Sequence, residues 1–383
     1  MNRPWLHVMG LVFVLTGVFA LGADKKPNTR LDSRGFAELL RKAQHGDHRA
    51  QNRVGLAFSR GEVVGPNSSE AVRWFLKAAT AGNPYAQHNL GVMLYRGTGV
   101  NQNPAEAMTW FEKAAAKGVP EAQFNAGCFY ESGIGVPQNL GRALALFHDA
   151  ANQGLAAAQN NLGKMYANGE GVAKDPVTAM QWFRKSAKQG DAVGEFDLAA
   201  LFWNGTGVSE DRSKAAYWFE QAAQQGHAGA QLVLGLAYRD GLGIPQDYQA
   251  AARWLQKSAE QGNADAQNKL GALYLQGMGV TVDAAQAADW FSKAAKQGNV
   301  DAQVNLAALY KDGFGVRLDL VQAYRWYRVS ERGSANLNAQ LRELADKMSS
   351  DQVADAERTA TQWRPEHHAS QAENAISGAD LLE

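Results

Sequence analysis

Apolar residues recur along the chain with the spacing of amphipathic helices. Ala86, Leu90 and Leu94 lie four residues apart, which predicts that one face of a helix, called helix A, is buried. The glycines Gly97 and Gly99 follow at once, and glycine adopts the positive φ that commonly ends a helix. The pattern therefore predicts helix A followed by a tight turn.

A second amphipathic segment, called helix B, follows the turn. Pro104 suits its first turn, where a missing N–H is tolerated, and Gly118 ends it. The small residues Gly91 and Ala107 predict a close approach of the two helices, with Trp110 filling the space beside them. Such a hairpin leaves an apolar face that only the next hairpin can cover, so the pattern predicts stacking.

This unit recurs every 36 residues. One glycine keeps the register at Gly46, Gly82, Gly118, Gly154, Gly190, Gly226, Gly262 and Gly298. A tryptophan keeps it at Trp74, Trp110, Trp182, Trp218, Trp254, Trp290 and Trp326, with Leu146 in the one vacant place, and we interpret these side chains as core. A fixed period of this length is typical of repeat architectures, so an all-α solenoid is expected.

The motifs Ala-Gln-x-x-Leu-Gly, Gly-x-Gly-Val and Ala-x-x-Trp-Phe-x-Lys-Ala-Ala at this pitch resemble Sel1-like repeats, which are relatives of the tetratricopeptide repeat. The resemblance covers about residues 47–333 as eight repeats and implies an α/α solenoid forming a right-handed superhelix. Departures are Val63 for the second turn glycine in repeat 1, Leu146 in repeat 3, and Gly194-Glu195 for Ala-Gln in repeat 5.

Outside the repeats, the chain is expected to begin with a signal peptide and to carry helical caps. Residues 1–22 combine a basic start with a short apolar run and small residues, as export signals do. Residues 23–46 are predicted to be a linker and an N-terminal capping helix, and residues 334–363 two C-terminal capping helices. Residues 364–383 lack periodicity and are expected to form a tail.

Charge and cysteine content narrow the classes of partner. Among 383 residues, 38 lysines and arginines balance 38 aspartates and glutamates, so nothing predicts nucleic-acid binding. The single cysteine, Cys128, cannot form an intramolecular disulfide and is expected to be a small buried thiol. The signal peptide and the single cysteine together predict a periplasmic protein. After cleavage of the signal peptide, no insertion into the membrane is expected. A secreted or signal-anchored protein is the alternative.

Candidate chemistry is sparse, so neither an enzyme nor a cofactor or metal site is predicted. The Gly-x-Gly motif lacks the preceding strand and third glycine of a dinucleotide fingerprint. The histidine pairs His45/His48 and His367/His368 lack convergent further ligands. Some cysteine-rich relatives have been discussed as β-lactam-binding or hydrolysing proteins, but their paired cysteines are missing from this sequence.

The resemblance implies that the A helices line the concave face. Equivalents of His88, Val92 and Tyr95 form a second stripe on helix A that varies between repeats, as a surface shaped for a ligand would. From this stripe we predict a partner-binding groove made by Tyr95, Phe124, Lys164, Phe196, Trp203, Leu232, Leu236, Arg239 and Leu275. Packing of Phe196 and Trp203 between neighbouring A helices is equally compatible with the sequence.

The sequence thus predicts a non-catalytic scaffold of the cell envelope that binds a partner protein in this groove. The alternatives are a glycan-binding regulator of cell-wall enzymes, with the same aromatic side chains stacked on sugar rings, or a weak hydrolase of the β-lactam-binding kind.

Overall fold

A computed structural model describes residues 31–331 and 337–366 of the chain. All regular structure in these residues is helical, in 19 helices. The predicted signal peptide, most of the linker, His367 and His368, and the tail beyond residue 366 lie outside the described residues. None of the described helices is long and apolar enough to cross a membrane.

Sixteen of the helices form eight pairs that correspond to the predicted A and B helices. The A helices are α2 His48–Arg60, α4 Pro84–Arg96, α6 Pro120–Ser132, α8 Ala156–Asn168, α10 Ala192–Asn204, α12 Ala228–Asp240, α14 Ala264–Gln276 and α16 Val300–Asp312. The B helices are α3 Ser68–Thr80, α5 Pro104–Ala115, α7 Leu140–Asn152, α9 Pro176–Ala187, α11 Arg212–Gln224, α13 Tyr248–Glu260, α15 Ala284–Lys296 and α17 Leu320–Ser330.

The remaining three helices are caps, which are α1 Ser33–Gln44, α18 Asn338–Ala345 and α19 Ser350–Gln362. The chain divides into two compact units. Of the described residues, the first unit contains residues 31–189 with repeats 1–4, and the second contains residues 190–331 and 337–366 with repeats 5–8.

Local sequence signals set the ends of the helices. Asn83, at the N-cap of α4, accepts a hydrogen bond from the Ala86 N–H at 2.9 Å, and nearly every helix B begins with an equivalent Asn or Asp cap. Every helix A ends in a left-handed glycine, such as Gly97 with φ 68°. These caps satisfy backbone groups that a helix end leaves unpaired.

The second turn glycine is required for a different reason. Gly279 has a φ of 73°, and a Cβ atom built on it would lie 1.9 Å from the carbonyl oxygen of Tyr248 in the preceding helix B. The turn can therefore touch the previous repeat only where this residue has no side chain. In repeat 1 its place is taken by Val63, which is exposed and keeps the positive φ of 68°. A valine in this region carries backbone strain.

A phenylalanine, rather than the periodic tryptophan, packs between the two helices in six of the eight pairs, and Leu255 and Tyr327 take its place in repeats 6 and 8. A Cβ atom on Gly91 would lie 2.7 Å from Cε1 of Phe111, which is fully buried. The expectation that Trp110 fills this space is therefore wrong. The ring of Trp110 is half-buried on helix B, with the Lys113 ammonium 4.0 Å from its centroid. The adjacent Phe111 points at the glycine instead, because helix geometry turns neighbouring side chains about 100° apart.

The tryptophan positions as a set only partly match the core interpretation. Trp74, Trp182 and Trp326 are buried, whereas the rings of repeats 2, 5, 6 and 7 are half-buried. In five repeats a lysine one turn later covers the ring, at distances between 3.6 and 4.5 Å. In these cation–π pairs the lysine side chain covers the tryptophan ring on the outer side of helix B.

Glutamines on the A helices tie successive helices together. The Gln267 side chain donates to the Ala259 carbonyl at 3.1 Å, and Gln51, Gln87, Gln123, Gln159, Gln231 and Gln303 make the same bond eight residues back. The next helix B supplies a second bond, from Gln297 Nε2 to Gln267 Oε1 at 2.8 Å. We call this series the glutamine ladder. It satisfies buried polar atoms within each unit.

Capping helices cover the described ends of the repeats. At the C-terminal side, α18 and α19 pack on α17 through the buried Leu341, Leu344 and Ala360. The indole of Trp363 meets Trp326 edge-on at 6.1 Å, and the Glu366 N–H donates to the Lys296 carbonyl at 2.8 Å. In the described part of the chain, the segment 23–46 contains one helix, α1, and the segment 334–363 contains two, α18 and α19.

Candidate functional site

The predicted stripe consists of the fifth, ninth and twelfth residues of each helix A, and its exposure increases toward the helix C-terminus. In the first unit the fifth residues, from Asn52 to Asn160, are all buried. The twelfth residues, which include Tyr95 and Glu131, are half-buried. In the second unit the twelfth residues of repeats 6, 7 and 8 are likewise accessible, whereas Trp203 in repeat 5 is not. A partner can therefore reach only part of the stripe.

Five of the nine predicted partner-binding residues lie in the interior, and their assignment as surface anchors needs correction. No more than 6% of any of these residues is exposed, because neighbouring elements pack against the A helices at these positions. They are Phe124 in the first unit and Phe196, Trp203, Leu232 and Leu236 in the second.

Phe196 and Trp203 follow the packing alternative. The ring of Phe196 stacks on His227 at 4.6 Å and lies 5.4 Å from Phe219. Trp203 meets the same Phe219 at 6.0 Å, and the Arg212 guanidinium lies 4.8 Å from its ring. These contacts fill the interior of repeat 5, so the two aromatic residues stabilise the fold.

The other four predicted residues, Tyr95, Lys164, Arg239 and Leu275, are accessible. With Glu131 and Lys311 they define a surface that we call the A-helix rim, which has Tyr95, Glu131 and Lys164 in the first unit and Arg239, Leu275 and Lys311 in the second. All but Lys164 are twelfth residues of a helix A, and each unit carries its own part of the rim.

The turn after helix A positions the rim. The side chain of Gln138 donates to the Glu131 carbonyl at 2.7 Å, and Gln102 and Gln246 make the same bond to Tyr95 and Arg239 at 2.9 and 2.7 Å. Tyr95 also packs edge-on against Phe129 at 5.3 Å. The rim side chains therefore project from a rigid last turn, although each repeat presents a different chemical group there.

Glu131 and Lys311 are the rim residues that the sequence interpretation missed, and Glu131 has the more unusual electrostatics. Burial and, to a smaller extent, the nearby Glu170 raise the pKa of the Glu131 carboxyl to about 7, although Lys164 acts in the opposite direction. A carboxyl group that changes charge near neutral pH is a marker of functional sites. The signal available in the sequence is a lone acid at a position that the other repeats fill with Ser, Tyr, Ala, Trp, Arg, Leu or Lys.

Arg239 gives the rim of the second unit a fixed positive group. Its guanidinium forms a two-pronged ion pair with Asp240, with Nε–Oδ1 and Nη2–Oδ2 distances of 2.7 and 2.6 Å. The hydrogen bond to Asp240 raises the pKa of the guanidinium. The pair holds the arginine in one orientation, as a planar fork on a carboxylate does.

The histidine and cysteine positions fit structural roles. His45 Nδ1 contacts the Arg41 carbonyl at 2.7 Å and His48 Nδ1 contacts Asn83 Nδ2 at 3.1 Å, so both rings lie at helix ends. Cys128 is a buried thiol, as predicted, and burial raises its pKa well above the ordinary value. Within the described residues, no group of three or more His, Cys, Asp or Glu side chains is arranged to hold a metal ion.

Comparison with known proteins fixes the family. The model for the Sel1 repeat matches eight consecutive segments, 48–83, 84–119, 120–155, 156–191, 192–227, 228–263, 264–299 and 300–330. The chain belongs to the Sel1 repeat family. Its predicted fold class, an all-α solenoid of eight helix-turn-helix repeats, is thereby confirmed.

Two solved Sel1-type structures are similar over most of the chain. A Sel1 repeat protein from Oxalobacter formigenes shares 37% identity over 72% of this chain and 80% of that one, with a TM-score of 0.60. The protein c5321, a protective antigen present in uropathogenic Escherichia coli strains and displaying an SLR fold, shares 27% identity over 91% and 97%, with a TM-score of 0.54. No match was found among curated proteins.

Membership in the family indicates the general function. Sel1-repeat proteins generally mediate protein–protein interactions, and such scaffolds are typically non-catalytic.

Proposed function

We propose that this Sel1-repeat protein is a non-catalytic scaffold of the cell envelope that binds a partner protein through the A-helix rim. The observation that carries the proposal is the contrast along helix A. The buried ladder and core positions keep nearly the same residue in every repeat, whereas the accessible twelfth position carries Ser, Tyr, Glu, Ala, Arg, Leu or Lys. Selection for the fold does not require this variety, but recognition of one particular partner does.

Each part of the rim offers a protein partner an apolar group and charged groups. In the first unit Tyr95 supplies apolar contact area and Glu131 and Lys164 supply polar groups of both signs, whereas in the second unit Leu275 supplies the apolar area and Arg239 and Lys311 are positive. Rigid side chains lose little conformational freedom on binding, which favours affinity.

We place the protein in the periplasm after removal of the predicted signal, residues 1–22. The support is the charge and apolar pattern of those residues. The description of the similar Escherichia coli protein as a protective antigen is compatible with export.

Glycan binding and hydrolysis have less support. The glycan alternative relied on aromatic side chains of the stripe, but Phe124, Phe196 and Trp203 are buried and cannot stack on sugar rings. The hydrolase alternative relied on paired cysteines in relatives, and this sequence has one cysteine.

The test is crosslinking of the full chain in its native cells, followed by mass spectrometry of captured proteins. The rim variant is Tyr95→Ala with Lys164→Gln. Its matched control is Tyr217→Ala with Lys188→Gln, which changes the same residue types at exposed positions on and just after B helices. Circular dichroism checks that both variants remain folded.

We expect at least one protein to be captured by the parent chain and the control but reduced about tenfold or more with the rim variant, which corresponds to about 1.4 kcal/mol. Equal capture by all three chains would contradict the rim as the binding surface. Selective loss with the control would move the partner to the B helices, and localisation of the protein in the cytoplasm would contradict its proposed place.

A further inference from the structure

The first helix A of the array, α2, has an edge that no described helix A covers. In the first unit, the sixth residue of a helix A contacts the fifth residue of the preceding helix A. Asn89 Nδ2 donates to Asn52 Oδ1 at 3.0 Å, and Asn125 Nδ2 lies 3.0 Å from His88 Nε2. The sixth residue of α2 is Arg53, and α2 is the first A helix of the described chain.

The cap in front of α2 is equivalent to a helix B, not to a helix A. Gln51 on α2 donates to the Ala43 carbonyl of α1 at 3.0 Å, as Gln87 on α4 donates to the Ala79 carbonyl of α3 at 3.1 Å. Within the described residues, the stack therefore begins halfway through a repeat. The edge of α2 retains the geometry of a contact between A helices, but no described helix A lies on its other side.

This edge is basic. Arg49, Arg53 and Arg60 are exposed and follow helical spacing of four and seven residues, so they share one face of α2. Arg60 pairs with Glu62 at 3.3 Å, whereas Arg49 and Arg53 form no ion pair with a described residue. In repeats 2 to 4 the residue equivalent to Arg53 is asparagine, which bonds to the previous helix.

We propose that the α2 edge, formed by Arg49, Arg53 and Arg60, binds an acidic amphipathic helix of a partner protein in the position of the missing helix A. The occupant follows from two features of the edge. Inside the first unit, the fifth residue of one helix A contacts the sixth residue of the next helix A. The incoming helix would make the same contact, with a polar residue at its fifth position facing the sixth residue of α2. The charge on the edge selects carboxylates for that helix.

The proposal adds a second surface to the protein and does not depend on the A-helix rim. In the recurring contact the sixth residue donates and the fifth residue accepts, and an arginine at the sixth position of α2 is also a donor. A carboxylate at the fifth position of the incoming helix is the stronger acceptor, because the guanidinium can donate two N–H groups to it in charge-assisted hydrogen bonds.

The experiment uses the full chain and three synthetic helical peptides, each 13 residues long and with the sequence of α8. One carries Glu in place of Asn160, one carries Gln and one carries Lys, and each has a helix-stabilising staple on the face away from α2. Binding is measured by fluorescence anisotropy at low and at high salt. The protein variants are Arg53→Glu and, as a control on an exposed helix B, Arg184→Glu.

We expect the Glu peptide to bind the parent chain at least tenfold more tightly than the Lys peptide, with the difference reduced at high salt because exposed charges are screened. Arg53→Glu should reverse this order, whereas Arg184→Glu should leave it unchanged. A reversal cannot arise from loss of folding. The proposal is overturned if the Glu peptide shows no binding up to about 1 mM, if the three peptides bind equally, or if both variants behave alike. Failure here leaves the rim untouched, because the rim variant does not alter this edge.

Discussion

At the scale of single residues, the same register position plays different roles in different repeats because its surroundings differ. The twelfth residue of helix A is buried among aromatic rings as Trp203, but it is accessible and polar as Glu131. Packing explains the burial of Trp203, whereas the carboxyl of Glu131 has an unusually high pKa.

Glu131 should make the stability of the chain depend on pH. Its pKa rises from 4.5 to about 7 on folding, so between these values the folded chain keeps a proton that the unfolded chain has released. The free energy of unfolding therefore decreases as pH rises through this window. We expect Glu131→Gln to match the parent at pH 4 and to be more stable by about 1–2 kcal/mol at pH 8, measured by urea unfolding.

Glu121→Gln, in the first turn of the same helix, is the control and should show no such gain at pH 8. A difference between Glu131→Gln and the parent that is the same at pH 4 and pH 8 would contradict the raised pKa.

At the scale of helices, the glutamine ladder explains how successive helices are held together. The ladder itself is incomplete in two repeats. In repeats 3, 4, 6 and 7 the ladder oxygen of helix A accepts from a glutamine thirty residues later, as Gln123 does from Gln153 at 2.7 Å. The equivalent positions in repeats 1 and 2 are Ala81 and Lys117. The buried oxygens of Gln51 and Gln87 consequently have no hydrogen-bond partner among the described residues.

Ala81→Gln should complete the ladder in repeat 1. Ala81 has φ −73° and ψ 2°, close to the −80° and 0° of Gln153, so the new side chain can adopt the observed geometry. We expect the free energy of unfolding to rise by about 1 kcal/mol in urea titrations, since an unpaired buried acceptor gains a donor. The gain should disappear in a Gln51→Ala background. An equal gain in both backgrounds would mean that the new glutamine stabilises the helix end in another way.

The sequence predicts the helices well because their signals are local. The 36-residue period, the Asn and Asp caps and the turn glycines locate all sixteen repeat helices. Which side chains are buried is not local information. A spacing argument assumes one buried face, yet Ala228 to Ala237 in α12 are ten consecutive buried residues. Because it assumes a single buried face, the spacing argument places Leu232 and Leu236 on a surface. It also prefers Trp110 over the adjacent Phe111.

At the scale of the whole molecule, stability should be transmitted only between neighbouring elements. Within each unit, the strongest contacts of the repeat helices join each helix to the next one in the chain, as in other repeat proteins whose stability is a sum over neighbours. The capping helices then protect the ends without controlling distant repeats.

Leu344→Ala tests this view, because Leu344 is fully buried between α18 and the last repeat. We expect a local loss of about 2–4 kcal/mol, seen by hydrogen exchange as faster amide exchange in α16 to α19 with no change in α2 to α5. Phe36→Ala at the other cap should give the converse pattern. Faster exchange along the whole chain in either variant would contradict coupling limited to neighbours.

The glutamine ladder also bears on how the length of such a protein can change during evolution. Because each rung joins equivalent atoms at a constant separation, loss of residues 264–299 would bring Gln303 to the place of Gln267, where its side chain could donate to the Ala259 carbonyl as Gln267 does. Duplication of one repeat would extend the array by the same rule. A gene for this chain can therefore gain or lose whole multiples of 36 codons without creating a new interface.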